Sequence, residues 1–351
     1  MKIIYTGGGT MGSVSPLIAI HQKLNNKNNN LKSLWLGTKN GPEKEIIIKE
    51  NIKFKSIVAG KFRRYFDFNN IIDLFKILIA IWQAFFILIF FKPNIVLSAG
   101  GFVSVPVVWV AFILGIPVLI HQQDIRPGLA NKLMAPCAKK ITVALDVSLK
   151  NFPKNKTVLA GNPVRQTADS RPQVTEFSFN NNLPILLVMG GGTGASAINN
   201  LVWESADELI KFCDIIHITG KNKNNKIINS NNYKAFEFLK NEMFDVLKLA
   251  DIVVSRAGLS SLTELAYFKK ACILIPIPCT HQEDNAEYFV DKKACMYLKQ
   301  QETDKNKFIQ AVQDLLNSEN KKKELSNNIY NMFIDYSGEK IIKEICKIQK
   351  S

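Results

Sequence analysis

Three glycine-rich stretches stand where a short apolar run gives way to helix-forming sequence: TGGGTMGS (6–13), SAGGFVS (98–104) and MGGGTGAS (189–196). Glycine there lets a bound group approach the backbone closely. A helix opening behind it offers unpaired N–H groups and a partial positive charge. One such loop is also what a tight strand-to-helix turn needs; three at corresponding places point to phosphate or diphosphate binding by backbone. None ends in Gly-Lys-Ser/Thr, which argues against nucleoside triphosphate hydrolysis. Gly7, Gly9 and Gly12 have the dinucleotide spacing, but residues 25–33, NNKNNNLKS, supply no acid for a ribose, and a nicotinamide enzyme is demoted. A fourth stretch, SRAGLSSLTEL (255–265), reads as strand, turn and helix, with Ser260 or Ser261 capping the helix. Its first turn can then face phosphates. Glu264 is either a capping-box residue or a carboxylate that accepts ligand hydroxyls. No Asp-x-Asp occurs, so a metal–diphosphate clamp has no candidate, and neither a metal nor a cofactor is expected.

The elements that must hold these loops alternate between strand and helix. KIIYTGG, LKSLWLG, NIKFKSIVA, NIVLSAGG, PVLIHQQ and KKITVAL read as strands in the first half, and PILLVMGGG, IIHITG, KAFEFLK, DIVVSRAG and ACILIPIP in the second. Between them RQTADSRPQVTEFSFNNN is polar and without period, a linker. This is an α/β protein with two parallel-sheet, Rossmann-like domains. A chain of 351 residues is comfortable for two domains. The stretch from Ser318 reads as helical and basic. Six cysteines (Cys137, Cys213, Cys272, Cys279, Cys295 and Cys346) form no CxxC pair and read as reduced thiols of a cytosolic protein. No secretory signal is read at the N-terminus.

The formal charge of +15 draws the chain toward polyanions. The basic residues are scattered and not interleaved with aromatics, so no nucleic-acid partner is expected. An anionic membrane surface fits better. From Ile71 to Phe91 only Asp73, Lys76 and Gln83 interrupt an apolar run, too few polar residues to cover a solvated helix face. The reading is a crossover helix with one face on the sheet and the other, carrying Trp82, Phe85 and Phe86, in the membrane surface, flanked by Lys61, Arg63 and Arg64.

Together these motifs resemble the MurG family, N-acetylglucosaminyltransferases that convert lipid I to lipid II. GGGTMGSVSP (7–16) resembles the family's first loop, GGTGGHxxP. GKFRRYF (60–66) resembles its basic stretch, and SAGGFVSVP (98–106) its second loop. HQQDIRPGLANK (121–132) resembles HEQNxxPGLxNK, GNPVR (161–165) matches outright, and MGGGTGASAIN (189–199) resembles GGSxGAxxxN. SRAGLSSLTEL (255–265) and HQEDNA (281–286) match the donor-site motifs. The resemblance spans nearly the whole chain. It implies a GT-B fold, two Rossmann-like domains with parallel sheets facing across a cleft. The domains would be an acceptor and membrane domain at 1–163 and a UDP-sugar domain at 164–330. A C-terminal helix at 331–351 would return to the first. It implies inverting transfer from UDP-N-acetylglucosamine to the muramoyl hydroxyl of undecaprenyl-diphosphate-linked lipid I, by a peripheral enzyme on the cytoplasmic face of the cell membrane.

The same resemblance implies the site. Arg165 would contact the donor and steady the diphosphate leaving group. Glu264 would take the ribose hydroxyls, Gln282 and Asn285 the sugar, and the backbone of Lys240 the uracil, with His281 in support. Gly192 and Thr193 of the third loop, and Leu259, Ser260, Ser261, Leu262 and Thr263 at the helix start, would face the donor phosphates. Thr10, Met11 and Gly12 would approach substrate in the first loop, and Gly100, Gly101 and Phe102 would line the acceptor side with Arg63 and Arg64. The chain departs from the family at Ser13, where a histidine that helps deprotonate the acceptor is usual, and at Gln122 (glutamate), Asp124 (asparagine) and Gly192 (serine). Serine cannot replace the base unaided, so Asp124 or His121 is expected to act as base. The alternatives left open are a different lipid acceptor and a membrane-associated descendant that only binds.

Overall fold

The computed structural model describes residues 1–10, 12–27, 30–60, 69–165, 177–191, 194–224, 226–239 and 242–350. The chain divides into two compact units, 1–166 with 334–351, and 167–333. Arg165 therefore lies in the first unit.

The first unit is built on seven parallel strands: β1 (Lys2–Thr6), β2 (Lys32–Gly37), β3 (Lys53–Ser56), β4 (Ile95–Ser98), β5 (Val118–Gln122), β6 (Lys140–Val143) and β7 (Thr157–Leu159). Their order is β3-β2-β1-β4-β5-β6-β7. Most strands are continuous apolar runs, as a parallel sheet covered on both faces requires, and every residue of β4 and β5 is buried. Alternate residues face opposite layers. Ile3, Tyr5, Trp35, Leu97 and Leu119 pack with α1 (Ser15–Lys27) and with Ile341, Ile342, Ile345 and Ile348 of the C-terminal helix Glu339–Lys350. Ile4, Val96, Val118, Ile120 and Val143 pack with the helices Asn69–Phe91 and Ser104–Ile113. The apolar residues of the C-terminal helix recur at helical spacing. Its start is tied down by Glu339, which pairs with Lys23 and Lys27 at 3.0 and 2.8 Å. Between β2 and β3 lies α2 (Glu43–Lys49).

The helix after β3, α3 (Asn69–Phe91), is long and apolar enough over Asp73–Phe91 to cross a membrane. Ala84, Ile87 and Leu88 on one face are buried against the core, and Ala80 is buried as well. Leu74, Phe75, Leu78, Ile79, Trp82, Phe86, Ile89 and Phe90 are exposed on the other, and Phe90 is 80% exposed. Trp82 stacks on Phe86 and Phe86 on Phe90, at centroid distances of 6.1 and 6.5 Å. Phe85, expected on the outer face, is instead half-buried against the core. Asp73, costly in an apolar setting, is buried and ion-paired with Lys76 at 2.9 Å. The next helix, α4 (Ser104–Ile113), ends in exposed Phe112 and Ile113. Lys61, Arg63 and Arg64 lie outside the described residues.

The second unit carries six parallel strands in the order β10-β9-β8-β11-β12-β13. They are β8 (Ile185–Met189), β9 (Asp214–Ile218), β10 (Tyr233–Phe236), β11 (Ile252–Ser255), β12 (Ala271–Leu274) and β13 (Met296–Tyr297). Five helices pack around them: α6 (Ser196–Leu209), α7 (Glu242–Leu249), α8 (Leu259–Tyr267), α9 (His281–Asp291) and α10 (Lys305–Asn317), followed by α11 (Glu319–Tyr330). The helix after β5, α5, spans Leu129–Met134, and the C-terminal helix is α12 (Glu339–Lys350). The segment read as linker is anchored at its end, where Phe177 is buried against Phe236 at a ring distance of 5.2 Å; residues 166–176 lie outside the described residues.

Candidate functional site

Each sheet reverses its strand order once, between β1 and β4 in the first unit and between β8 and β11 in the second. Ligands of open α/β sheets bind beyond the C-terminal ends of the strands at such points. The first and second glycine loops follow β1 and β4. The third loop and the Ala257–Gly258 turn follow β8 and β11. The motifs thus fall at the two places where the topology opens a crevice.

In the first unit the two loops abut. A Cβ on Gly101 (φ +92°) would lie 2.7 Å from the Gly8 carbonyl oxygen, so only glycine permits this approach. Gly9 and Thr10 are exposed at the tip, and Gly12 and Phe102 are half-buried. Ser13 is buried, its Oγ within 3.3 Å of the Gly8 carbonyl and 3.2 Å of the Thr10 carbonyl. Its hydroxyl stitches the loop together, a loop-building task and not a proton-accepting one. On the other side, Ser98 Oγ accepts from Gly100 N at 3.1 Å and Ser104 Oγ donates to the Gly100 carbonyl at 2.9 Å. Met11 lies outside the described residues.

The expectation that His121 faces the site as a base is corrected here. The side chain is fully buried, with Nδ1 3.0 Å from Thr142 Oγ1 and Nε2 2.9 Å from Asn162 Oδ1. Burial lowers its pKa to about 4, keeping the ring neutral. Asn162 Nδ2 donates to Gln123 Oε1 at 3.3 Å, and Gln123 Nε2 donates to the Gly12 carbonyl. A run of donation from Thr142 to His121, Asn162, Gln123 and Gly12 satisfies every group if Nε2 carries the proton. His121 thus braces the first glycine loop from behind. Gln122 is also buried. Its Nε2 donates to the Asp124 carbonyl at 2.6 Å, and its Oε1 accepts from Asn131 Nδ2 at 2.6 Å. A glutamate at 122 could not donate that bond. Asp124, in the turn after β5, is half-buried, and it is the group of the pair that solvent reaches. Arg165 is half-buried at the end of the GNPVR turn, where Val164 N donates to the Tyr336 carbonyl at 2.9 Å.

In the second unit, Gly194 N donates to the Gly191 carbonyl at 3.0 Å, closing the third loop, and nothing lies within 4 Å of a Cβ built on Gly191. That face of the loop is open. Gly192 and Thr193 lie outside the described residues, as does Lys240. Behind the loop a second buried histidine repeats the arrangement of the first. His217 Nε2 lies 3.1 Å from Asn199 Oδ1, and its Nδ1 lies 2.8 Å from the Tyr233 hydroxyl. Burial lowers the pKa of His217 to about 3. Asn199 Nδ2 donates to the Thr219 carbonyl at 2.9 Å.

The start of α8 differs from the sequence reading. Gly258 is its N-cap, with extended backbone and no side-chain cap, and the helix begins at Leu259. Ser260 and Ser261 are its second and third residues rather than caps. The first helical bond runs from Leu262 N to the Gly258 carbonyl at 3.0 Å, so the N–H groups before it have no acceptor within the helix. Leu259 and Leu262 are buried in the core, and Thr263 Oγ1 donates back to the Leu259 carbonyl at 2.7 Å. This turn can therefore offer backbone N–H groups to an anion. Glu264 lies in the second turn, past the capping-box position, and is half-buried. Gln282 is half-buried, its Oε1 accepting from Ile277 N at 3.2 Å. Asn285, expected to contact sugar, is fully buried and donates to the Ala257 carbonyl at 3.0 Å. It fixes the turn before α8. His281 is exposed at the first position of α9.

Sequence reasoning passed over Arg256. Its guanidinium is buried and donates from Nη1 to the carbonyls of Ile275 and Pro276, at 2.7 and 3.0 Å. It ties the turn after β11 to the loop before α9, and burial lowers its pKa. The signal was available: an arginine directly after an apolar strand, inside a motif already singled out. Among the described residues no group of three or more His, Cys, Asp or Glu side chains could hold a metal ion.

Comparison with known proteins matches both halves of the chain. The glycosyltransferase family 28 N-terminal domain matches residues 3–143, and the family's C-terminal domain residues 185–342. The chain is 45% identical over 280 residues, 79% of each protein, to the UDP-N-acetylglucosamine--N-acetylmuramyl-(pentapeptide) pyrophosphoryl-undecaprenol N-acetylglucosamine transferase of Clostridium kluyveri. It is 38% identical over 354 residues to the Clostridium botulinum protein of the same name, covering 99% of this chain and 98% of the other. Among solved structures it resembles Acinetobacter baumannii MurG, with TM-score 0.74, 23% identity and 99% of each chain covered. It also resembles the Neisseria meningitidis UDP-GlcNAc 2-epimerase, with TM-score 0.71, 16% identity, and 99% of this chain and 100% of that one covered. These structural likenesses are of fold, and the fold is GT-B.

Proposed function

The chain belongs to the MurG family of glycosyltransferase family 28, and from that premise we propose that it transfers N-acetylglucosamine from UDP-N-acetylglucosamine to lipid I. The product is lipid II, the disaccharide precursor of peptidoglycan. The observation that carries this reading is the placing of family motifs at both topological switch points of a chain whose relatives bear that name.

The donor diphosphate takes the N–H groups that open α8 and the open face of the third glycine loop. Glu264 accepts from the ribose hydroxyls, and Gln282 reads the sugar. Arg256 and Asn285 hold these segments in place. In the reaction the muramoyl 4-hydroxyl attacks C1 of the sugar from the face opposite UDP. The C1–O bond to the diphosphate breaks, with inversion, and the electron pair leaves with UDP. Asp124 takes the hydroxyl proton, and the α8 N-terminus stabilises the charge on the departing diphosphate. Low individual worth of a helix end, typically about 0.3–1 kcal/mol, is why several donors are needed.

The exposed aromatic face of α3 supports a peripheral place on the cytoplasmic face of the cell membrane, where a lipid-linked acceptor and a soluble nucleotide sugar are both accessible. An epimerase acting on free nucleotide sugar has no use for such a face. The test is transfer of labelled GlcNAc to a lipid I analogue in detergent, with and without EDTA. Product in both conditions supports a metal-independent transferase. Tight UDP-GlcNAc binding without product overturns the acceptor assignment.

A further inference from the structure

The fully buried carboxylate of Glu43 has no part in the reading above. It opens α2, yet it points beneath the tip of the first glycine loop. Oε1 accepts from Thr38 N at 2.7 Å and Thr38 Oγ1 at 2.6 Å, and Oε2 accepts from Gly9 N at 3.2 Å. No ion pair to Glu43 occurs among the described residues. A carboxylate out of water needs such donors to remain. The space it occupies is cleared by three glycines, Gly8 in the first loop and Gly37 and Gly41 between the end of β2 and the start of α2. A Cβ on Gly8 or Gly41 would overlap the carboxylate, and one on Gly37 would lie 3.1 Å from Oε1. The glycines of the first loop therefore do two jobs. Gly8 makes room for a carboxylate below, and Gly9 (φ +82°) turns its N–H down onto it.

This fixes the plane of the Gly8–Gly9 peptide and with it the Gly8 carbonyl, which accepts from Ser13 Oγ and against which Gly101 packs. That peptide is thus one of the contacts through which the first and second glycine loops meet. We propose that Glu43 is a positioning residue for the acceptor half of the reaction, setting the two glycine loops through the Gly9 amide; this rests on the acceptor reading of the first unit.

The test is Glu43→Gln. Glutamine fills the same socket but must turn an N–H₂ group toward either Thr38 N or Gly9 N, both donors. Expected is a loss of about 10- to 100-fold in acceptor kcat/KM, the usual effect of losing a hydrogen bond to a charged group. Donor KM and UDP affinity should stay within twofold. Hydrogen exchange in a peptide covering 7–13 should quicken. Gly8→Ala, which crowds the same carboxylate from the loop side, should give the same pattern, and Thr38→Val, which removes one donor, a milder one. Equal losses for donor and acceptor, or unchanged acceptor kinetics with unchanged exchange, overturn the proposal. A wild-type chain without transfer to lipid I would instead sink the proposed function, and the exchange readout would still decide whether Glu43 sets the loop.

Discussion

Replacing Phe90 by serine tests the proposed membrane face most directly. Phe90 is 80% exposed and ends the stacked row Trp82, Phe86, Phe90. A phenylalanine carries about 200 Å² of surface, so about 160 Å² is offered to lipid. At ~25 cal/mol per Å² full insertion would contribute about 4 kcal/mol. A helix lying in the interface sinks only partway, and half coverage, about 2 kcal/mol, is the working figure. Phe90→Ser should then weaken partitioning onto anionic phospholipid vesicles roughly 30-fold at constant salt. Trp82, 64% exposed on a larger ring system, should give a similar loss. Ile227→Ser is the control, because Ile227 is 86% exposed and belongs to the second unit. Co-sedimentation with vesicles measures the effect, and UDP binding checks that each variant is folded. Partitioning within twofold of wild type for both aromatic variants, or an equal loss in the Ile227 control, would refute the reasoning.

Asp124→Asn should lower kcat by about 10²–10⁴-fold, the usual worth of a positioned base, and an unchanged rate would remove Asp124 from that role. Ser13→Ala should change kcat by less than about threefold and cost about 1 kcal/mol of stability, since its hydroxyl serves loop carbonyls; a hundredfold loss of kcat would give it a chemical role. Arg256→Met leaves the Ile275 and Pro276 carbonyls without their donor, so UDP affinity by calorimetry should fall about tenfold or more, and an unchanged titration would contradict the bracing role. His121 and His217 have pKa values lowered by burial to about 4 and about 3. Between pH 6.5 and 4 the unfolded chain binds protons that the folded chain refuses, so stability present above pH 6.5 is lost as pH falls, by roughly 3 kcal/mol per histidine at pH 4; an unfolding midpoint unchanged between pH 6.5 and 4.5 would contradict this.

Much of the fold was readable because parallel strands buried on both faces must be short apolar runs, and eleven strands, β1–β6 and β8–β12, stand in the segments read as strands. The strands that escaped were β7, Thr157–Leu159, and β13, Met296–Tyr297. Both are edge strands, three and two residues long. Neither carries enough apolar length to rise above its polar flanks. The outer face of α3 was legible as a surplus of apolar residues, but its rotation was not. Phe85 turned inward while Phe75 and Phe90 turned outward, a phase set by the burial of Ala80, Ala84 and Leu88 on the inner face of the helix.

The site was legible as places and less so as roles, for a reason that has physical content. Histidine, asparagine and arginine near a strand end look like chemistry, yet the same groups are what a protein needs to satisfy buried polar positions. His121 is the fourth residue of VLIHQ and His217 the fourth of DIIHI, strands in which every residue is buried. A polar side chain inside such a strand has no solvent to turn to and must find internal partners, which both histidines do through an asparagine and a hydroxyl. A polar side chain beyond the strand's last residue is released from that constraint. Asp124, two residues past the end of β5, is half-exposed where His121 is closed off. Position relative to the strand end, more than residue type, therefore separates brace from candidate base. It ranks Asp124 ahead of His121, so His121→Gln should disturb loop order and stability before it touches the proton-transfer limb of the pH–rate profile, while Asp124→Asn should do the reverse. Loss of that limb in His121→Gln, with the loop still ordered, would invert the ranking.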